Sequence, residues 1–200
     1  MYMLTLMQAP DLYDDDAQHL KSIIANFLHL LELKNVKLYL HSQQVANYSV
    51  SIAAKMRLPK EEIERIRIAS LLHDIGHLTV PNAILAKVPY LTSREKSIYK
   101  NHCNAGSYML ENIPSCQELI PYIRYHHERW DGAGYPKRLK GVNIPLGARI
   151  IAVANHYDRY INPCTQNWAK TKEEAVKELF NHCGTAFDPD VVKAFVEALG

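Results

Sequence analysis

Cysteine is scarce in this chain, with 4 in 200 residues. Cys103, Cys116, Cys164 and Cys183 stand far apart and form no C-x-x-C pair, which argues against a disulfide scaffold or a thiolate zinc knot and fits reduced thiols in the cytoplasm. An excess of charge of one sign is missing too. Lys and Arg total 23 against 21 Asp and Glu, a formal net charge of +2, so no global field draws the chain to DNA or to an anionic membrane. No apolar run approaches the ~20 residues of a membrane span. The opening MYMLTLMQAP lacks a basic start and runs into Asp14, Asp15 and Asp16, so it reads as a docked or frayed terminus instead of a secretory leader. Alternating strands, internal repeats and low-complexity linkers are absent as well.

What the chain does contain is helical periodicity. It is 48% hydrophobic, enough for one substantial core. Asp14 or Asp15 is placed to cap a helix carrying Leu20, Ile23, Ile24, Phe27, Leu28 and Leu31 at helical spacing. Val36 to Met56 continues helically, and after Pro59 the stripe Ile63, Ile66, Ser70, His73 ends at Gly76. Thr92 with Glu95, and Thr171 with Glu174, form T-x-x-E capping boxes. The first box opens a helix with Ile98, His102, Ala105 and Met109 on one face. Residues 116–128 and 144–160 also read as helices, and Asp188 with Pro189 opens the last one. The expected fold is all-α, a packed bundle over residues 36–200 with an N-terminal helical extension at 1–35.

The histidines fall in informative places. His41, His73, His102 and His127 each lie on the apolar stripe of a different predicted helix, with Asp74 beside His73 and His126 beside His127. One imidazole on an apolar face is most often a hydrogen-bonded core residue. Several buried without a common partner would cost on the order of 1 to 3 kcal/mol for each unsatisfied ring, and a metal centre removes that cost. Imidazoles plus a carboxylate, without thiolate, suit Fe, Mn, Zn or Ni. Asp74 has two oxygens and can bridge two ions, and a metal pair about 3.5 to 4 Å apart serves phosphoester hydrolysis.

His73 and Asp74 in LLHDIGH, His102 in KNHCNAG, His126 and His127 in HHERWDGAGYP, and the following GVNIPLGARIIAVA together resemble the HD-GYP domain, a branch of the HD metal-dependent phosphohydrolases. The resemblance runs from about Leu38 to Leu199. It implies an HD-domain helical bundle that hydrolyses cyclic di-GMP to the linear dinucleotide, to GMP or to both, by attack of a metal-bound hydroxide on phosphorus. One ion would take His41, His73 and Asp74; a second would take Asp74, His102, His126 and His127. Catalytic roles fall to Asp74 and His77, and substrate or partner contact to the loop residues Asp131, Gly132, Gly134, Tyr135 and Pro136. The cofactor implied is one or two divalent ions of Fe, Mn, Ni or Zn. Expected partners are a cyclic dinucleotide, a protein such as a diguanylate cyclase domain at the GYP loop, and a second copy of the chain. DNA binding and membrane insertion are not expected.

The sequence also departs from that family. His77 stands where a lysine is usual. Asn155 stands where an aspartate ligates the first ion, which removes a full negative charge from it, and Asp158, three residues on, is not expected to take over. Asn162, Pro163 and Cys164 replace an Arg-Pro-Tyr, and Lys37 stands where some members carry an acidic residue for a third ion. Weakened binding of the first ion is therefore expected. Beside the active phosphodiesterase, two readings stay open: a catalytically degenerate domain serving as a signalling or interaction module, and a generic HD phosphohydrolase acting on another nucleotide.

Overall fold

The computed structural model describes residues 12–162 and 170–200, so Pro163 and Cys164 lie outside the described residues. The all-α expectation holds: the described residues form α-helices and short 3-10 turns, and the bridge pair Cys183 and Phe187 stands isolated, outside any strand. In chain order the helices are α1 (Leu12–Lys34), α2 (Val36–Lys55), α3 (Lys60–Leu72), α4 (Asn82–Leu85), α5 (Ser93–Lys100), α6 (His102–Leu110), α7 (Ile120–Tyr125), α8 (Leu146–Ile161), α9 (Lys172–Asn181) and α10 (Pro189–Leu199). Turns of 3-10 geometry lie at Ile75–Thr79, Pro114–Leu119 and Gly141–Asn143.

The bundle is organised around α2. Asn35 caps it by accepting from the Lys37 backbone N–H, one of the donors a helix start leaves unpaired. Val45, Ala46, Ser49, Ile52 and Ala53 are buried along α2, and their modest size lets α3, α8 and α10 pack closely on it. Rings of Tyr48, Tyr157 and Phe195 join α2, α8 and α10 edge to face, with centroids 4.8 to 5.7 Å apart. Ile24 and Leu31 of α1 are buried as well. Both T-x-x-E boxes form with reciprocal hydrogen bonds, and Asp188 caps α10 by accepting from Asp190 N–H.

Several expected boundaries are corrected. The chain is already helical at Leu12, so Asp14 and Asp15 stand inside α1 and do not cap it. α3 stops at Leu72, and His73 and Asp74 form its junction with a 3-10 turn. The helix expected to run through Ile98 and Met109 divides at Asn101. Residues 116–128 split into a 3-10 turn and a short α7 ending at Tyr125, so His127 lies beyond the helix. Each early stop leaves last-turn carbonyls without helical donors, and three of those carbonyls are used by the site.

Candidate metal centre

Histidines stand at these helix ends. His73, His102 and His126 each direct Nδ1 at the carbonyl three residues back, Ser70, Tyr99 and Ile123 respectively, at 2.7 Å in every case. An Nδ1–H donated there satisfies an orphan carbonyl and leaves Nε2 as the free lone pair. His41 lies inside α2, and its Nδ1 is 2.5 Å from Asp158 Oδ2 on α8.

The Nε2 atoms converge on Asp74. Its Oδ1 lies 3.5 Å from His77, 3.4 Å from His102 and 4.0 Å from His126. Its Oδ2 lies 3.3 Å from His73 and 3.9 Å from His41. Both Asp74 oxygens, His73 Nε2 and His127 Nε2 are buried without a hydrogen-bond partner, which is costly unless an ion or ordered water serves them. Potential ligand atoms lie within 4.8 Å of one another in three groups: His41, His73 and Asp74; Asp74, His77 and His102; and His102, Cys103, His126 and His127. These residues fit a divalent ion. Thiolate is not among the expected ligands, yet Cys103 Sγ lies 3.5 Å from His102 Nε2.

Burial sets the charge states. It pushes the His77 imidazole down to about 4 and that of His102 to about 3, and holds His126 and His127 well below the ordinary histidine range. For Asp74 burial works the other way, but His73 and His77 facing it prevail and keep the carboxyl well below the usual range. Neutral imidazoles around an ionised carboxylate are the protonation state that metal ligation needs. Burial also raises the Cys103 thiol far above its usual range.

A family profile described as the HD domain matches residues 27–191. The chain belongs to the HD-domain family. It is 35% identical over 170 residues to a cyclic di-GMP phosphodiesterase of Thermotoga maritima, covering 84% of this chain and 46% of that protein. It is 32% identical over 181 residues to 3'3'-cGAMP-specific phosphodiesterase 2 of Vibrio cholerae, covering 88% of this chain and 34% of the relative. The chain thus spans less than half the length of either. The crystal structure of V-cGAP3, a cyclic GMP-AMP specific phosphodiesterase of V. cholerae, shares the fold with a TM-score of 0.67 at 21% identity, over 88% of this chain and 48% of that one. The HD-GYP resemblance expected from the motifs agrees with these relatives.

Within the HD domain, the loop after the paired histidines is held from below by Glu128. This buried carboxylate accepts from Lys137 N–H at 2.5 Å and Leu139 N–H at 3.1 Å. The Tyr135 ring stacks on His127 with centroids 4.9 Å apart and planes 22° from parallel, and Lys100 Nζ lies 4.8 Å from the Tyr135 centroid. Asp131 accepts from Arg129 Nη2 at 2.6 Å and from Ala133 N–H at 2.9 Å, and the Tyr135–Pro136 peptide is cis. Gly134 must be glycine here, because a Cβ would overlap the Arg129 nitrogen and the Glu128 backbone. Gly76 serves the same purpose at the His-Asp turn: a Cβ there would strike the His102 carbonyl and the Gly106 nitrogen. A cavity of about 400 Å³ opens between the loop and α5–α6, lined by Ser97, Lys100, Asn101, Asn104, Tyr135 and Pro136.

All the expected ligand residues of the HD domain therefore meet. Asn155 joins them, with Oδ1 3.0 Å from His41 Nε2. Asp158 does not replace it; its carboxylate is bound to the far side of the His41 ring. Arg159 and Tyr99 were not singled out by sequence reasoning. Arg159 Nε donates to Asn155 Oδ1 at 3.0 Å, and Nη2 donates to the Tyr99 hydroxyl at 3.3 Å and lies 3.9 Å from Asp74 Oδ2. The available signal was the spacing of Asn155, Asp158 and Arg159, which puts all three on one face of α8.

Proposed function

We propose that this HD domain hydrolyses a phosphodiester bond of a cyclic dinucleotide, cyclic di-GMP ahead of 3'3'-cGAMP. The observation that carries this reading is the convergence of buried Nε2 atoms on one ionised carboxylate whose oxygens lack partners. The names of the relatives support the substrate class. Asp74, His102, His126 and His127 would hold a divalent ion, with His41 and His73 on the other side of Asp74. A bound ion of Fe, Mn, Ni or Zn supplies Lewis acidity at the phosphoryl centre and makes water nucleophilic near neutral pH.

The protein's own groups do the rest. Neutral His77, stacked on His102 at 4.1 Å with both ring nitrogens unpartnered, orients the attacking water by hydrogen bonding. Lys100 and the side-chain amides of Asn101 and Asn104 line the cavity beside the cluster and offer donors to phosphate and base edges. Tyr135 and Pro136 form its opposite wall and limit how the dinucleotide enters. The completeness of the donor set around Asp74 Oδ1 supports an enzyme over a silent interaction module.

The test is a chromatographic assay on protein purified without oxygen or chelators, supplied with Mn or Fe, against cyclic di-GMP, 3'3'-cGAMP and a synthetic diester. Linear dinucleotide or GMP should form, and Asp74→Ala or His126→Ala should abolish it. Metal-loaded protein that cleaves no cyclic dinucleotide would sink the proposal, and cleavage of the synthetic diester alone would move the domain to a generic phosphohydrolase.

A further inference from the structure

Asp74 divides the cluster into two sides of different charge. Its Oδ1 faces the rings of His77, His102 and His126, which burial holds neutral. Its Oδ2 faces His73 at 3.3 Å and His41 at 3.9 Å, and also the Arg159 guanidinium at 3.9 Å. Arg159 is anchored there by its hydrogen bonds to Asn155 Oδ1 and the Tyr99 hydroxyl. The Asn155 oxygen that receives Arg159 also faces His41 Nε2 at 3.0 Å, so one of the four ligand atoms on this side already serves the guanidinium.

A guanidinium stays positive at any working pH. A divalent ion among His41, His73, Asn155 and Asp74 Oδ2 would stand beside it, in low-dielectric surroundings where like charges repel strongly. Among the described residues, the acidic ligand facing that ion would be Asp74 alone, which the other side shares; the Asp158 carboxylate is spent on the His41 ring. The Oδ1 side carries no such conflict: His102, Cys103, His126 and His127 bring neutral donors within 4.8 Å of one another.

We propose that Arg159 is the second cation of this site. A single divalent ion binds on the Oδ1 side, among Asp74, His102, His126 and His127. On the Oδ2 side Arg159 takes the place a second ion would fill, and its planar fork grips the non-bridging oxygens of the phosphodiester. Its side chain is 30% exposed. Asn155, whose Oδ1 accepts from Arg159 Nε, anchors the guanidinium there. The phosphodiester part of this proposal rests on the hydrolytic reading above; the ion count does not.

The experiment is a metal count by mass spectrometry on the full chain dialysed against excess Mn, with electron paramagnetic resonance of the bound Mn. The wild type should hold about one ion per chain, with the spectrum of an isolated Mn. Asn155→Asp combined with Arg159→Ala supplies a carboxylate and removes the guanidinium, and should raise the count to about two with an exchange-coupled spectrum. Arg159→Lys keeps the charge and loses the fork, so its count should stay at the wild-type value while KM rises roughly tenfold. Two ions on the wild type, or none, overturn the proposal. So does a double variant that is folded by circular dichroism and still holds one. If the double variant fails to fold, the wild-type count and spectrum decide by themselves. Absence of turnover with one ion bound would remove the hydrolytic reading and leave the ion count supported.

Discussion

The Asp158 carboxylate accepts from His41 Nδ1 at 2.5 Å, with both side chains buried, and ties α8 to the N-terminal half of α2 inside the site. Carboxylate partners of this kind fix the tautomer and rotation of an imidazole, and their loss typically lowers affinity or activity about 10- to 100-fold. Asp158→Asn keeps the shape and removes the charge. It should lower kcat/KM within that range while the ion count stays unchanged, as steady-state kinetics beside metal analysis will show. An unaltered rate would mean that the setting of the His41 ring has no part in turnover.

The buried imidazoles make the metal-free protein acid-sensitive. His77 at about 4 and His102 at about 3 lie below the ordinary 6.5 because burial disfavours their charged forms. Between those values the unfolded chain binds protons that the folded chain does not. Stability is therefore fully present above pH 6.5 and is lost as pH falls toward 4 and 3. The urea midpoint of chelated protein should fall across this window, each ring adding a slope of up to about 1.4 kcal/mol per pH unit. A flat profile would show that water reaches the rings.

Metal should stabilise the fold, because the donors come from separate helix ends. A ligand present at about 100 times its Kd adds about 2.7 kcal/mol to unfolding. Thermal scans with and without chelator should differ accordingly for the wild type. His126→Ala should erase the difference, and a variant that keeps the full shift would remove His126 from the ligand set.

Glu128 supports the loop through two backbone hydrogen bonds, to Lys137 and Leu139. Glu128→Ala removes two hydrogen bonds to a buried carboxylate and should cost about 1 to 3 kcal/mol in urea unfolding. KM should rise as Tyr135 loses its seat on His127. Glu128→Gln keeps acceptor oxygen and should lose less on both measures, a ranking that separates loop support from general packing damage.

Much of this was legible in one dimension. Helical periodicity revealed the bundle, the two capping boxes were readable from Thr and Glu three apart, and the His-Asp and His-His pairs singled out the candidate ligand residues that the fold brings together. Helix interruptions were harder. His73, His102 and His127 read as positions on helical stripes, whereas the chain breaks beside each of them. Periodicity registers which face a residue occupies and is insensitive to a stop of one or two residues. Arg159 was passed over for a related reason: a charged residue four after Asn155 looks like a solvated face until Tyr99 is known to meet it.

By itself the sequence determined the all-α class and the chemical identity of the donors, because side-chain chemistry and hydrophobic period are local properties. Only the tertiary structure decided which nitrogen of each ring faces Asp74, since that choice is made by helix-end carbonyls and, for His41, by Asp158, which is 117 positions away. It alone placed a guanidinium on one side of Asp74 and neutral rings on the other. Charge balance in a buried site depends on distances between helices, and no linear pattern encodes those distances directly.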